Sequence, residues 1–122
     1  MLDPAKHDGT VGDHNTLFVG HVGEEDPQFL TNIIGKAKVT ARTGFDSEYV
    51  RERVPHLYVE GDIKWPGAIA RDGLIVAFSG VQGEFDVMIA EWMVSAIRAI
   101  CRDEMLRAGG AADQPGPYLI NE

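Results

Sequence analysis

The chain is predicted to be an α+β domain in which an antiparallel sheet carries helices packed against it. Three observations carry this reading: a capped amphipathic run opening at Asp26-Pro27, an Asp72-Gly73 turn between two apolar runs, and a second long amphipathic run opening at Glu84. With 122 residues, the chain has the length of one domain with one core.

Taken in order, residues 1–15 are polar and rich in turn signals (Asp8-Gly9, Gly12-Asp13, His14-Asn15) and are expected to form a flexible N-terminal arm. The main domain is expected over residues 16–108. Thr16 to Val22 reads as a strand, with Leu17, Val19 and His21 on one face and Phe18, Gly20 and Val22 on the other. Asp26 then offers a capping carboxylate and Pro27 suits the first helical position, so a helix is predicted over 27–43, ended by Gly44. Phe29, Leu30, Ile33, Ile34, Ala37 and Ala41 fall on one face of it, and Lys36, Lys38 and Arg42 fall largely off that face.

Ser47 to Val54 is predicted as a short helix stopped by Pro55, with Tyr49, Val50, Arg53 and Val54 inward. His56 to Trp65 is broken by Gly61-Asp62 and reads as a loop with at most a short strand near 57–59. Asp72-Gly73 supplies the positive-φ turn of a hairpin whose second strand, Leu74 to Phe78, is apolar at every position and so buried on both faces. Gly80-Val-Gln-Gly83 turns the corner into a helix running to about Arg107. Its predicted inner stripe is Phe85, Met88, Ile89, Trp92, Ala96, Ala99 and Ile100. Residues 109–122 form a Pro/Gly-rich tail predicted to be irregular. Three strands make a narrow sheet with an exposed edge, which predicts a homo-oligomer.

The bulk chemistry narrows the partners. A formal charge of −8 opposes binding to nucleic acid and to anionic membranes. The opening residues have no apolar core of a secretory signal, and no apolar stretch has the length of a membrane span, which predicts a cytoplasmic protein. One cysteine, Cys101, rules out an intramolecular disulfide and a multi-cysteine zinc site.

The candidate chemistry is spread thinly. Gly80 and Gly83 at a helix start can present backbone N–H groups to a polar ligand, or simply make a tight turn. Glu84 and Asp86 beside them would repel phosphate. Asp86 can serve as an acid or base with Lys36 or His56, or can satisfy the helix dipole. His21 and His56 are candidate axial haem ligands, whereas His7 and His14 lie in the expected arm; no pair has helical metal-site spacing. Cys101 reads as core packing, and Trp65 with Tyr58 can line an apolar pocket or pack the loop on the sheet.

Read together, Gly35-Lys-Ala-Lys-Val-Thr-Ala41, Ser47, Pro66-Gly67-Ala-Ile, Asp72-Gly73, Gly80-Val-Gln-Gly83 and Asp86 resemble the GlcG/HbpS family over roughly residues 17 to 105. Gln82 stands where the family tends to carry serine, and Ala68 where it tends to carry a second glycine. The resemblance implies a profilin- or PAS-like sandwich, here lacking the usual N-terminal helix and strand. It further implies an oligomer that binds a small molecule, haem among the possibilities, at Gly80, Gly83, Asp86, His56 or Lys36. The alternative is a small catabolic enzyme, or an accessory subunit of a small-molecule degradation pathway.

Overall fold

A computed structural model describes residues 1–23 and 26–107. Three helices pack against a two-stranded antiparallel sheet, so the α+β class holds. The order is α1 (Pro27–Thr43), α2 (Ser47–Arg53), β1 (Ala68–Arg71), β2 (Leu74–Ala77) and α3 (Gly83–Arg107), with 3-10 turns at Pro4–Lys6, Asp13–Asn15 and Pro55–Leu57.

Local signals explain most element boundaries. The Asp26 carboxylate accepts the Gln28 N–H and Pro27 opens α1, while Gly44 closes it at φ 78° and donates its N–H to the Thr40 carbonyl. Asp72 and Gly73 take φ 51° and 86°, the two left-handed residues of a tight hairpin turn that pairs Arg71 with Leu74 and Ile69 with Val76.

The hairpin is sandwiched. Ile69 and Val76 meet Ala90 and Val94 of α3, whereas Ile75 meets Leu2 and Ala41 of α1. Strand β2 therefore buries residues on both of its faces, as its unbroken apolar sequence requires.

Several expectations change. The first fifteen residues do not form an arm apart from the core. Leu2 is buried and bridges both Ile75 and Thr16, with its N–H on the Ile75 carbonyl at 3.0 Å. Burying Leu2 beside Ile75 outweighs the turn-rich composition around it. Thr16 to Val22 is not a strand: only Thr16 makes a bridge, and Phe18, Val19 and Val22 are exposed. Residues 57–59 form no strand either, since Pro55–Leu57 makes a 3-10 turn. The C-terminal tail expected over 109–122 lies outside the described residues.

The β1 edge is covered within the chain, and the β2 edge is bridged at Ile75. On the outer side of β2 lies Leu2. On the outer side of β1, the Ala68 N–H donates to Ser47 Oγ at 3.0 Å and the Ala70 N–H donates to Asp46 Oδ1 at 3.0 Å. The residues opening α2 thus satisfy the strand groups that would otherwise template another chain.

Both long helices differ from their predicted inner faces. In α1 the buried set is Lys36, Ala37, Val39, Thr40 and Ala41, whereas Phe29 and Leu30 are exposed. In α3 the buried set is Asp86, Ala90 and Val94, and the predicted stripe of Phe85, Trp92, Ala96, Ala99 and Ile100 is turned outward.

Candidate functional site

Two of the residues singled out in the sequence meet. Lys36 Nζ lies 2.9 Å from Asp86 Oδ2, with only 3% and 4% of the two side chains exposed. The ammonium also donates to the Phe78 carbonyl at 3.1 Å, and Asp86 Oδ1 accepts the Val81 N–H at 3.0 Å. One buried ion pair therefore ties α1, the corner after β2 and the start of α3 together. A charge taken this far out of water is tolerated only when paired and hydrogen-bonded, and here it is both.

Gly67 makes room for the pair. It takes φ 131°, and a Cβ there would lie 2.6 Å from the Phe78 carbonyl oxygen and 2.9 Å from Lys36 Nζ. Gly83 likewise packs against Pro66, and Gly80 turns the corner at φ 142°. The glycine corner thus serves close packing, and Asp86 turns inward to Lys36 and the Val81 N–H. With almost no solvent contact and partners on both oxygens, Asp86 has no route to a substrate in this arrangement.

The histidines do not converge. His21 Nδ1 lies 3.0 Å from the Gly23 carbonyl on an exposed segment. His14 lies 2.9 Å from Asp8, whose carboxyl is held down at about 2 by the Thr10 hydroxyl, the Thr10 N–H and His14. His56 sits exposed in the turn after α2. Among the described residues no group of three or more His, Cys, Asp and Glu side chains is placed to hold a metal ion, and no helix is long and apolar enough to cross a membrane.

A different cluster offers accessible chemistry. Arg51, Pro55, Tyr58, Lys64 and Trp65 line an open cleft of about 650 Å³. The Arg51 guanidinium carbon stands 5.8 Å above the Trp65 ring, and Lys64 Nζ stands 5.2 Å above the Tyr58 ring. Both are cation–π distances, so each cation rests on a ring while remaining exposed to solvent. Tyr58 Oη is buried and has no hydrogen-bond partner among the described residues. Burial pushes the Tyr58 phenol up, so the hydroxyl stays protonated at neutral pH and can donate. His56 follows directly on Pro55 of the cleft wall.

The cleft is held by a neighbouring lock. Arg42 on α1 grips Asp62 at 2.9 and 2.6 Å and also donates to the Leu57 carbonyl. Burial would raise the Asp62 carboxyl, but hydrogen bonds from Arg42 and the Val59 N–H outweigh it and hold the group below its ordinary value. Gly35 lets this loop approach α1: a Cβ there would fall 2.1 Å from Ile63 Cδ1. Sequence reasoning noted Trp65 and Tyr58 as possible pocket walls, but not Arg51 or Lys64. Nothing in their local spacing places them over rings; the fold of the 55–65 loop does. Of the candidate residues, Lys36 and Asp86 come together with the corner that Gly80 and Gly83 frame, whereas His56 adjoins the cleft in sequence through Pro55 without lining it. No protein-family model, no curated protein and no solved structure matches the chain.

Proposed function

We propose that the protein binds a small planar anion, of the haem or flat aromatic carboxylate class, in the cleft of Arg51, Tyr58, Lys64 and Trp65. The observation that carries this reading is two cations resting on two aromatic rings beside a buried, unpartnered hydroxyl. A flat ligand stacks on Trp65, Arg51 and Lys64 meet its carboxylates, and Tyr58 forms part of the wall. The cleft volume falls in the range of small-molecule sites. The reading agrees with the ligand class that the GlcG/HbpS resemblance implies, while moving the site away from Gly80, Gly83, Lys36 and Asp86. His56, the exposed residue after Pro55 in the chain, is the candidate nitrogen ligand for an iron bound there. Haem, when bound, would supply an iron centre able to accept a nitrogen ligand.

Titration with hemin and with metal-free protoporphyrin separates the parts of this reading. Both are expected to quench tryptophan fluorescence, and the Arg51→Ala/Lys64→Ala double variant to weaken both by about ten- to a hundredfold, from the loss of two charge-assisted contacts. His56→Ala is expected to shift the Soret band of the hemin complex alone. Absence of binding by either porphyrin, or equal binding by the double variant, overturns the assignment.

A further inference from the structure

We infer that the outward face of α3 is a two-fold interface between two copies of this chain, in which the helices pack antiparallel about Trp92. The helix carries two apolar faces. One, through Val87, Ala90, Val94 and Ile97, covers the sheet. The other runs through Phe85, Met88, Trp92, Ala96 and Ala99 at spacings of three and four, which is one stripe of a helix. Trp92 is 62% exposed and Phe85 45%.

The order of sizes along this second stripe points to the occupant. Large side chains (Phe85, Met88, Trp92) fill its N-terminal half and alanines (Ala96, Ala99) its C-terminal half. A two-fold axis at Trp92 reverses one copy on the other, because an isologous contact sets residue i against j and j against i. Phe85 of one copy then lies over Ala99 of the other, Met88 over Ala96, and the two Trp92 rings meet at the axis. A parallel pairing would instead set large against large at one end and leave a gap at the other.

Charge agrees with the same register. Glu84 of one copy falls between Arg98 and Arg102 of the other, and the second contact repeats by symmetry. Arg98 is already steadied by Asp72, and Glu91 on the same flank by Arg71, so this polar margin is held in place before association. The sheet edges already carry contacts within the chain, at Ala68 and Ala70 on β1 and at Ile75 on β2, whereas the second face of α3 carries none of the core contacts. The contact stretch from Phe85 to Ala99 is about 21 Å long at 1.5 Å per residue, enough for two full heptads of knobs and holes.

Analytical ultracentrifugation of the full chain tests this. A dimer is expected, and Phe85→Glu/Trp92→Glu is expected to be a monomer with unchanged circular dichroism. Glu84→Arg is expected to weaken the dimer by roughly tenfold or more, because it faces two arginines. Arg102→Glu added to Glu84→Arg is expected to restore most of that loss, which a merely structural effect of either change would not do. A monomer at every concentration overturns the proposal. So does a dimer that survives Phe85→Glu/Trp92→Glu or lacks the charge-reversal rescue. A monomer whose Trp92 becomes solvent-exposed only when residues 109–122 are deleted assigns the face to the chain's own C-terminal segment, and also overturns it.

Discussion

The Lys36–Asp86 pair and the Arg51–Tyr58–Lys64–Trp65 cleft are both clusters of charged and polar side chains, yet they do opposite work. In the first, the ammonium and both carboxylate oxygens have partners, and solvent is excluded. In the second, the cations lie on ring faces open to water and a buried hydroxyl is unpartnered. A saturated buried pair holds a structure in one arrangement, whereas an unsaturated open cluster keeps its hydrogen-bonding capacity for a ligand. The residues with the most suggestive chemistry in the sequence belong to the first kind.

The sharpest way to break that contrast is to remove half of the pair. Lys36→Met or Asp86→Leu alone leaves a buried charge without its partner and is expected to cost about 3–5 kcal/mol, read from urea unfolding. The Lys36→Met/Asp86→Leu double variant is expected to recover most of that loss, because two apolar side chains need no counter-charge. If each single variant unfolds at the wild-type midpoint, the pair is not the structural tie described above.

The cleft should behave in the opposite sense. Arg51→Ala and Lys64→Ala remove exposed side chains, so each is expected to shift stability by no more than about 0.5 kcal/mol while porphyrin affinity falls. A large loss of stability in either variant would make the cleft a structural element like the pair.

The smallest effect lies in the N-terminal segment. The Asp8 carboxyl sits at about 2 in the folded chain, below the ordinary aspartate value of about 3.9. A depressed carboxylate favours folding above its unfolded value, and that contribution fades as the pH falls from about 4 to about 2. Its titration by carboxyl-carbon NMR is expected to centre near 2, and Thr10→Ala to move it upward. A midpoint near 3.9 in the wild-type chain would mean that the Asp8–Thr10–His14 cluster does not form in solution.

Much of the fold was legible in local patterns. Pro27, Gly44, Asp72-Gly73 and Pro55 delimit elements through fixed backbone preferences, and those boundaries appear where the residues place them. The rotation of α3 was not legible, and that of α1 was legible only in part, since Ala37 and Ala41 are buried as their spacing predicts but Phe29 and Leu30 are not. Periodicity in α3 favours the stripe with the larger side chains, Phe85 and Trp92, but Asp86 is anchored on Lys36 and turns that stripe away from the sheet. Once Asp86 is inward, Ala90, Val94 and Ile97 follow it at three- and four-residue spacings. Lys36 misled for the same reason, since a lysine on an amphipathic helix ordinarily belongs to the solvated face and only its distant partner brings it in. The cleft was half visible: Trp65 and Tyr58 stand out as aromatics, but the cations that complete it come from α2 and from the far side of the Gly61-Asp62 break.

By itself, the sequence determined the α+β class, the hairpin and its turn, the extents of α1 and α3, and an acidic chain with no multi-cysteine site. Those features depend on φ preferences, capping groups and composition, which act over a few residues. Only the tertiary structure decided that Leu2 bridges the sheet edge at Ile75, that Lys36 and Asp86 form one buried pair, and that the larger apolar stripe of α3 faces outward. Each of these depends on a contact between groups far apart in the chain, such as the pair formed across 50 residues by Lys36 and Asp86. Burial and charge pairing at that range override what any local pattern favours.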